Sequence, residues 1–391
     1  MDSDIKRINS IDITRGIVMV IMALDHVRDF MHITSMSQSP TNLETTTTLL
    51  FMTRWITHLC APAFVFLSGV SAYISFKRNN NLSESRSFLL KRGIWLVLLE
   101  FTFINFALWF DIHFRFMIME VISAIGLSFI VLSLLLKLKS RTIGIIGLVI
   151  IFGHNLLQAV PIPSNPVVVF ITSVLFRPFL MQLSPGFSVF TAYPLIPWLG
   201  IMLAGFATGE FFELPAEKRN NIFLRTGLAA LSMYAIIRFV NIYGDPSKWA
   251  TQKTPLFTFL SFINTTKYPP SLLFILLFIG ITLLLLALTE KANNRVTEIL
   301  MVYGRVPLFY FVIHLFIIHS LMFLMLILQG ISSNDLLFGP FNNGRPKTGG
   351  GVDLGAIYLI WASVVIALYP LCKWYGRYKS EHKEKAILRY L

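Results

Sequence analysis

Two apolar stretches near the N-terminus decide how this chain folds: SIDITRGIVMVIMALDHVRDFMH at residues 10–32 and TRWITHLCAPAFVFLSG at residues 53–69. Each reads as part of a helix of roughly 20 residues, the length needed to cross a bilayer core of roughly 30 Å. Both stretches nevertheless carry ionisable side chains, among them Asp25, His26, Arg54 and His58. Such groups are costly inside a membrane and generally serve a function. We therefore expect the functional site to involve these two helices.

The rest of the chain has the composition of a polytopic membrane protein. Of its 391 residues, 55% are hydrophobic and only 14% are charged. Repeated apolar runs predict an all-α transmembrane helix bundle of about ten spans. The predicted spans are 13–32, 54–76, 92–110, 116–136, 142–159, 193–212, 222–243, 269–289, 306–328 and 354–373. The segment 166–182 is too short to span and is predicted to be re-entrant or interfacial.

The distribution of positive charge predicts the orientation. Most of the 33 lysines and arginines fall in loops on the N-terminal side of the predicted spans. The positive-inside rule then places both termini in the cytoplasm. The net charge of +13 is explained by these loops and by contact with anionic lipids, and we expect no nucleic acid partner. We treat residues 1–391 as a single membrane domain that ends in a short basic tail, 374–391.

Neither a metal site nor redox chemistry is expected. Cys60 and Cys372 lie far apart in apolar runs and have no spacing typical of metal binding or of a disulfide framework. His314 and His319 are five residues apart on a predicted helix, so their side chains point about 140° away from each other. This arrangement is unsuitable for a shared metal ion.

The charged residues of the first span share one helical face. Asp12, Arg15, His26 and Asp29 lie on a common stripe, because eleven residues at 100° each return to nearly the same direction. A rise of 1.5 Å per residue places His26 about 16 Å beyond Arg15. His58 and His314 are predicted at overlapping depths. This stripe is typical of the wall of a water-filled path from the cytoplasm to the middle of the membrane.

Several motifs are similar to a known family. They are the Asp-x-x-Arg-Gly pattern at 12–16 followed by the Asp-His pair at 25–26, and PAFVFLSG at 62–69. Further similarity lies in PWLGIMLAGFATG at 197–209 and GRVPLFYFVIH at 304–314. Together they make the sequence resemble the heparan-α-glucosaminide N-acetyltransferase catalytic-domain family, within a broader group of transmembrane acyltransferases.

The resemblance implies an acyltransferase. It would move an acetyl group, or another acyl group, from cytosolic acyl-CoA to an amino or hydroxyl group of a sugar or glycan across the membrane. A histidine is expected to act as general base or to carry the acetyl group. The lysosomal enzymes place theirs before a Trp ahead of the second span, where this chain has Met52-Thr-Arg-Trp55, whereas His26 matches the histidine of the broader group. We predict His26 and His58 as catalytic candidates, with Asp25 orienting the imidazole.

Other polar residues are assigned to the two substrates. Cations on the cytoplasmic side could bind the phosphates of CoA, namely Arg15, Arg92, Arg225 and Arg305. The acceptor is predicted to contact Arg28, Asp29, Arg54, Asn105, Glu120, Tyr268 and His314.

Two other functions are compatible with the same charges. A proton-coupled transporter of a small polar or anionic solute would also need ionisable groups in its spans, and a lipid- or glycan-binding module would need no turnover. The composition favours a bacterial inner membrane, because long luminal domains are not predicted. Helix faces rich in small and aromatic residues leave a homodimer open.

Overall fold

The computed structural model describes residues 8–157, 161, 165–346, 349–382 and 384–389. The helices are α1 (Asn9–Met31), α2 (Thr48–Thr57), α3 (Cys60–Asn79), α4 (Leu82–Leu99), α5 (Asn105–Trp109), α6 (Val121–Leu135), α7 (Ser140–Leu157), α8 (Pro166–Leu175), α9 (Leu195–Thr208), α10 (Ala216–Val240), α11 (Pro255–Ile263), α12 (Leu272–Thr289), α13 (Arg295–Gly304), α14 (Pro307–Leu328) and α15 (Leu354–Glu381). The strands are β1 (Phe116–Met119), β2 (Phe179–Ser184), β3 (Phe187–Thr191), β4 (Phe338–Gly339) and β5 (Asn342–Asn343).

Seven helical segments in this part of the chain are long and apolar enough to cross a bilayer. They are α2 with α3, α7, α9 with the turn that follows it, α10, α12, α14 and α15. The protein is therefore an integral membrane protein. The predicted first span coincides with α1, which is long enough to span but carries five charged residues. The total of ten spans and the position of the termini stay predictions.

The predicted span 116–136 needs a correction at its start. Its first residues form β1, and only Val121–Leu135 is helical, so α6 is about 22 Å long and shorter than a bilayer core. The described part of the chain is mostly helical, as predicted, and it adds a few short strands. β3 lies between β1, with which it is parallel, and β2, with which it is antiparallel, and β4 and β5 form a short hairpin. Residues 116–119 are all apolar, which suits a buried strand as well as a membrane helix. Hydropathy alone therefore did not distinguish the two.

Helix α1 is the central element of the bundle. Most of its residues are buried, and it contacts α2, α3, α12, α13, α14 and α15. Glycine makes the closest of these contacts possible. A Cβ atom on Gly16 would overlap the backbone carbonyl of Leu300 in α13, and one on Gly304 would overlap the carbonyl of Asp12 in α1. The glycine of the Asp-x-x-Arg-Gly motif thus allows the backbones of α1 and α13 to pack in direct contact.

A proline explains why the second apolar stretch is two helices. Pro62 lies in the first turn of α3 and has no N–H to donate to the carbonyl of His58, four residues earlier. The helix is accordingly interrupted between Thr57 and Cys60, and His58 ends α2. The break places Thr57 and His58 beside the charged residues of α1.

The two ends of the bundle are defined by α1. We call the end at which α1 begins the near end and the opposite one the far end. At the far end, the loop between α14 and α15 is attached to the last turn of α1. Arg345 donates to the carbonyl oxygens of Phe30 and His32 at 3.3 and 3.0 Å, and Val352 N donates to Met31 O at 2.8 Å. This loop covers part of the site described next.

Candidate active site

A cavity of about 360 Å³ lies beside the second half of α1, and we call it the central cavity. It is lined by side chains from α1, α2 and α3, by residues near β1, and by the loop before α12. Six of the predicted site residues are among its lining residues: Asp25, His26, Asp29, Arg54, Glu120 and Tyr268. Tyr193, Lys267 and Trp109 are among the further polar and aromatic lining residues. Charged groups and aromatic rings therefore surround one buried space.

His26 is held by a second histidine from α14. Its Nδ1 lies 2.6 Å from Nε2 of His314, although the two residues are 288 positions apart in the chain. His314 is fully buried, and its Nδ1 lies 3.0 Å from the carbonyl oxygen of Tyr310. A carbonyl only accepts, so we assign the proton of His314 to Nδ1 and the bridging proton to Nδ1 of His26. This assignment leaves the lone pair of His26 on Nε2.

Asp25 is the centre of a cluster of buried charges. Its Oδ1 accepts from Arg28 at 2.8 Å, from Arg54 at 2.6 Å and from the hydroxyl of Thr57 at 2.8 Å. Asp29 pairs with the same two arginines, at 2.7 Å for Arg28 and 3.8 Å for Arg54. The cluster joins α1 to the end of α2, and the pairing of each charge offsets the cost of burying it.

The predicted role of Asp25 needs correction. Asp25 was expected to orient the imidazole of His26, but its carboxylate bonds to Arg28, Arg54 and Thr57. The Nδ1 partner of His26 is His314, which was predicted as an acceptor ligand and lies behind His26. Adjacent residues on a helix point about 100° apart, so Asp25 and His26 face different neighbours.

His58 belongs to a separate space at the far end. This far cavity, of about 350 Å³, is also lined by Arg28, Thr265 and Lys267. The ring of His58 packs against Phe274 and Phe278 of α12, with centroids 5.7 and 5.9 Å away. The far and central cavities share four lining residues, Asp29, Arg54, Lys267 and Tyr268. The two catalytic candidates therefore line neighbouring cavities.

A third space, the near cavity, lies at the opposite end of α1 and measures about 310 Å³. It is lined by three of the arginines predicted to bind CoA and by a lysine of α15: Arg15, Arg92, Arg305 and Lys379. A neighbouring groove of about 800 Å³ shares Phe88 and Lys379 with it and adds Arg78 and Lys385. Cations are thus concentrated around an opening suited to a phosphorylated ligand.

At the near end, the Asp-x-x-Arg-Gly motif of α1 forms contacts with neighbouring helices. Asp12 lies 3.9 Å from Arg15 and 3.8 Å from Arg305. Arg15 also donates to the carbonyl of Leu67 at 3.2 Å and to the hydroxyl of Ser71 in α3. The aspartate and arginine of the Asp-x-x-Arg-Gly motif therefore connect α1 to α3 and to the start of α14.

The near and central cavities meet at a thin partition. Phe64, Val121 and Phe311 line both of them. The ring of His26 lies edge-on to Phe311, with centroids 6.2 Å apart. His26 is therefore next to the partition, on its central side.

Two predicted ligands lie elsewhere. Asn105 is 1% exposed, and its side-chain amide bonds to the backbone of Glu100 and Ile118 at 2.7 to 3.0 Å. It fixes a π-helical turn, Glu100–Ile104, against β1 and does not line the central cavity, so the structure does not support its predicted contact with the acceptor. Arg225 is exposed on α10, apart from the lining of the near cavity, and its predicted contact with CoA is also unsupported.

Some lining residues were not predicted. Lys379 was counted only as part of the basic tail, and Lys267 was not among the predicted site residues. Tyr193 precedes α9 and reaches the central cavity because β3 pairs with β1. The position of Lys267 between hydrophobic helices was the only sequence signal for a role in the site. Its burial could not be predicted, because it depends on residues far away in the sequence.

These features define an integral membrane protein of helical-bundle type, with buried polar side chains between cavities near its two ends. Residues 7–247 match the family model of the heparan-alpha-glucosaminide N-acetyltransferase catalytic domain. The chain belongs to this family, whose activity is of the transmembrane acetyltransferase type. No curated protein matches the chain. In the part of the chain that the structure describes, no group of three or more potential metal ligands is found.

Proposed function

We propose that the protein transfers an acetyl or other acyl group from cytosolic acyl-CoA to an amino or hydroxyl group of a sugar or glycan on the far side of the membrane. The observation that carries the proposal is the partition of Phe64, Val121 and Phe311, shared by the near and central cavities beside His26. The donor enters from the near end, the acceptor enters from the far end, and the reacting atoms meet at this partition.

The near cavity is the proposed donor site. Arg15, Arg92, Arg305 and Lys379 supply positive charge for the phosphates of CoA. The acyl end of the thiol arm then extends between apolar side chains such as Leu96 and Ile125 towards the partition. His26 lies beside Phe311 of the partition, so this direction brings the thioester towards His26. The acceptor nucleophile and the thioester carbon must approach to about 3.5 Å for the reaction.

His26 is the proposed general base. Its Nε2 removes a proton from the amine or hydroxyl of the acceptor while that group attacks the thioester carbonyl carbon. A new N–C or O–C bond forms, the C–S bond breaks, and the CoA thiolate leaves. The proton held by His26 then neutralises the thiolate. In the alternative sequence Nε2 itself attacks the thioester and carries the acetyl group to the acceptor.

The remaining polar residues position the acceptor. Arg54, Glu120 and Tyr268 line the central cavity with His26, and their charges and hydroxyl suit a polyhydroxylated substrate. The near end is proposed to face the cytoplasm, as the positive-inside rule predicts, and the membrane to be a bacterial inner membrane. Membrane lipids surround the bundle, and a homodimer is compatible with the proposal.

The proposal is tested by release of the CoA thiol. Purified full-length protein is incubated with acetyl-CoA and a panel of amino sugars, and wild type is compared with His26→Ala and His58→Ala. We expect acceptor-dependent release that falls by about 10²- to 10⁴-fold in His26→Ala, the usual contribution of a positioned base. His58→Ala should retain most of the rate, since His58 lines the far cavity.

Two results would contradict this assignment. Loss of activity in His58→Ala alone would move the base to the far cavity. Absence of both thiol release and acetyl-CoA binding would favour the transporter, which requires solute uptake driven by a pH gradient without CoA. Acetyl transfer to the protein in the absence of acceptor would identify the covalent sequence.

A further inference from the structure

One wall of the central cavity is formed by α5 and the hairpin of β4 and β5. Trp109, the last residue of α5, lines the cavity together with Phe341 and Asn343 of the hairpin. The hairpin lies outside residues 7–247, the part of the chain that matches the family model. We call these three residues the hairpin wall.

A buried histidine of α14 holds the two elements of this wall together. Nδ1 of His319 lies 2.8 Å from the carbonyl oxygen of Ala107 in α5, and its Nε2 lies 2.9 Å from the carbonyl oxygen of Asn343 in β5. Helix α5 and strand β5 are in contact as a result. The side chains of Trp109 and Asn343 are therefore neighbours, although 234 positions separate them in the chain.

The hairpin wall contains a hydrogen-bond donor and an acceptor that the protein itself does not pair. Among the residues that the structure describes, Nε1 of Trp109 and Oδ1 of Asn343 are buried and have no hydrogen-bond partner. Asn343 is only 8% exposed. Buried polar atoms are normally paired, so two unpaired ones on the same wall of a cavity indicate a missing ligand.

The types of the two atoms limit the chemistry of this ligand. An indole nitrogen only donates and an amide oxygen only accepts. A carboxylate or phosphate could accept from Trp109 but would have no hydrogen for Asn343. A hydroxyl group can accept one hydrogen bond and donate another. The pair of atoms is therefore complementary to an alcohol.

An aromatic surface lies beside these polar atoms. Phe341 is 49% exposed, and its ring packs against Phe116 and Phe190 with centroids 4.9 and 5.3 Å away. The ring of Trp109 also packs against Phe116, at 4.8 Å. The face of an aromatic ring is electronegative and attracts weakly positive C–H bonds. A sugar ring has both features, with C–H bonds on its faces and hydroxyls at its edge.

We propose that the hairpin wall determines which acceptors react, by binding a hydroxyl that is not itself acylated. Nε1 of Trp109 donates to this hydroxyl, the hydroxyl donates to Oδ1 of Asn343, and Phe341 covers the face of the sugar ring. The inference rests on the proposed function and adds specificity-determining residues to it. The same sugar then presents its amine or reacting hydroxyl to His26, which lines the same cavity.

The test compares acceptors that differ by one hydroxyl. CoA release by the full-length protein is measured with methyl glucosaminide and with its 3-deoxy, 4-deoxy and 6-deoxy analogues. The quantity of interest is the deoxy ratio, the kcat/KM of the parent sugar divided by that of an analogue. The variants are Trp109→Phe, which removes the N–H and keeps an aromatic ring, and Asn343→Ala.

Two control variants are matched to these changes. Nε1 of Trp95 is also buried without a partner in the described structure, but Trp95 lies on α4 and lines none of the cavities described above. Asn342 is the neighbour of Asn343 in the hairpin and does not line the central cavity. The controls are therefore Trp95→Phe and Asn342→Ala.

We expect one analogue to have a deoxy ratio of about tenfold to a hundredfold in the wild type, the usual effect of losing hydrogen bonds at a buried site. That ratio should fall towards one in Trp109→Phe and in Asn343→Ala and stay unchanged in both controls. A purely structural role would instead slow the parent and the analogues equally. Deoxy ratios that are the same in wild type, Trp109→Phe and Asn343→Ala would overturn the inference.

A binding measurement separates this inference from the proposed reaction. If no acceptor supports thiol release, the proposed function fails, and saturation-transfer NMR with methyl glucosaminide then decides the inference. Binding that weakens at least about fivefold in Trp109→Phe, but not in Trp95→Phe, supports the hydroxyl site. Absence of binding to the wild type, or equal affinity in wild type and Trp109→Phe, contradicts it.

Discussion

At the scale of single residues, the chemistry of His26 is set by a partner from the other end of the chain. His314 accepts at Nε2 only while its own Nδ1 bonds to the carbonyl of Tyr310, and this arrangement leaves Nε2 of His26 able to take a proton. His314 does not line the three cavities described above. In the proposed mechanism it is therefore a positioning residue, whose contribution should appear in the rate rather than in substrate binding.

The change His314→Gln tests this role. We expect kcat to fall by about 10- to 100-fold, because a displaced base loses much of its advantage. The KM for acetyl-CoA should stay nearly constant, since the near cavity does not include this residue. Steady-state kinetics of CoA release measure both quantities.

A matched control separates positioning from folding. His154 is also a buried histidine that bonds to backbone carbonyls, on α7 and outside the cavities described here. His154→Gln is expected to lower thermal stability while the kcat of the folded protein stays unchanged. Equal kcat values for the two variants would remove His314 from the mechanism.

Asp25 makes a different prediction, about stability. Asp25→Asn leaves Arg28 and Arg54 with weaker partners at a buried position, and breaking such pairs typically costs about 3 to 5 kcal/mol. Thermal unfolding of the purified variant should show a clear fall in Tm. Asp29→Asn is the comparison, because the side chain of Asp29 is 45% exposed and its loss should cost less. A fall of the same size in both variants would contradict the central role of Asp25.

At the scale of elements, glycines determine how closely the helices approach. Gly16 faces the backbone of α13, and Gly69 and Gly205 bring α3 and α9 together in the same way. These glycines lie within the motifs at 12–16, 62–69 and 197–209. Their role in packing explains their presence without any contact with substrate.

Gly16→Ala should destabilise the bundle by about 1 to 3 kcal/mol, because its Cβ would overlap the carbonyl of Leu300 and force α1 and α13 apart. Gly153→Ala on α7 is the control, since a Cβ there would meet no atom within 4 Å. That control should be neutral or stabilising by up to about 1 kcal/mol through helix propensity. Thermal unfolding of both variants checks the difference, and similar Tm changes would argue against close packing at Gly16.

At the scale of the whole molecule, the proposed reaction requires the near end to face the cytoplasm. Cys60 and Cys372 are buried, so single exposed cysteines can report on orientation. In intact cells, a membrane-impermeant maleimide should label Ser37→Cys at the far end and should label Ser380→Cys at the near end only after permeabilisation. The reverse pattern would place the cations of the near cavity outside the cytoplasm and would contradict the proposed entry of the donor.

Much of the architecture could be predicted from the sequence. Apolar runs of bilayer length identified the helices, and ionisable residues inside the first two identified the region of the central cavity. Prediction failed at 116–119, where a short apolar segment pairs with β3, a strand about 70 residues later. The sequence also could not show that the side-chain amide of Asn105 bonds to the backbone of Ile118, because these two residues meet only in the folded chain.

The sequence by itself determined that this is a helical membrane protein, placed charges within its first helix and carried the motifs of an acetyltransferase family. These properties depend on local hydropathy and spacing, which can be read along the chain. Only the tertiary structure decided that His26 is paired with His314, that Asp25 bonds to the arginines, and that Lys267 is buried between the central and far cavities. Those outcomes depend on contacts between residues far apart in sequence, and such contacts exist only once the helices have packed.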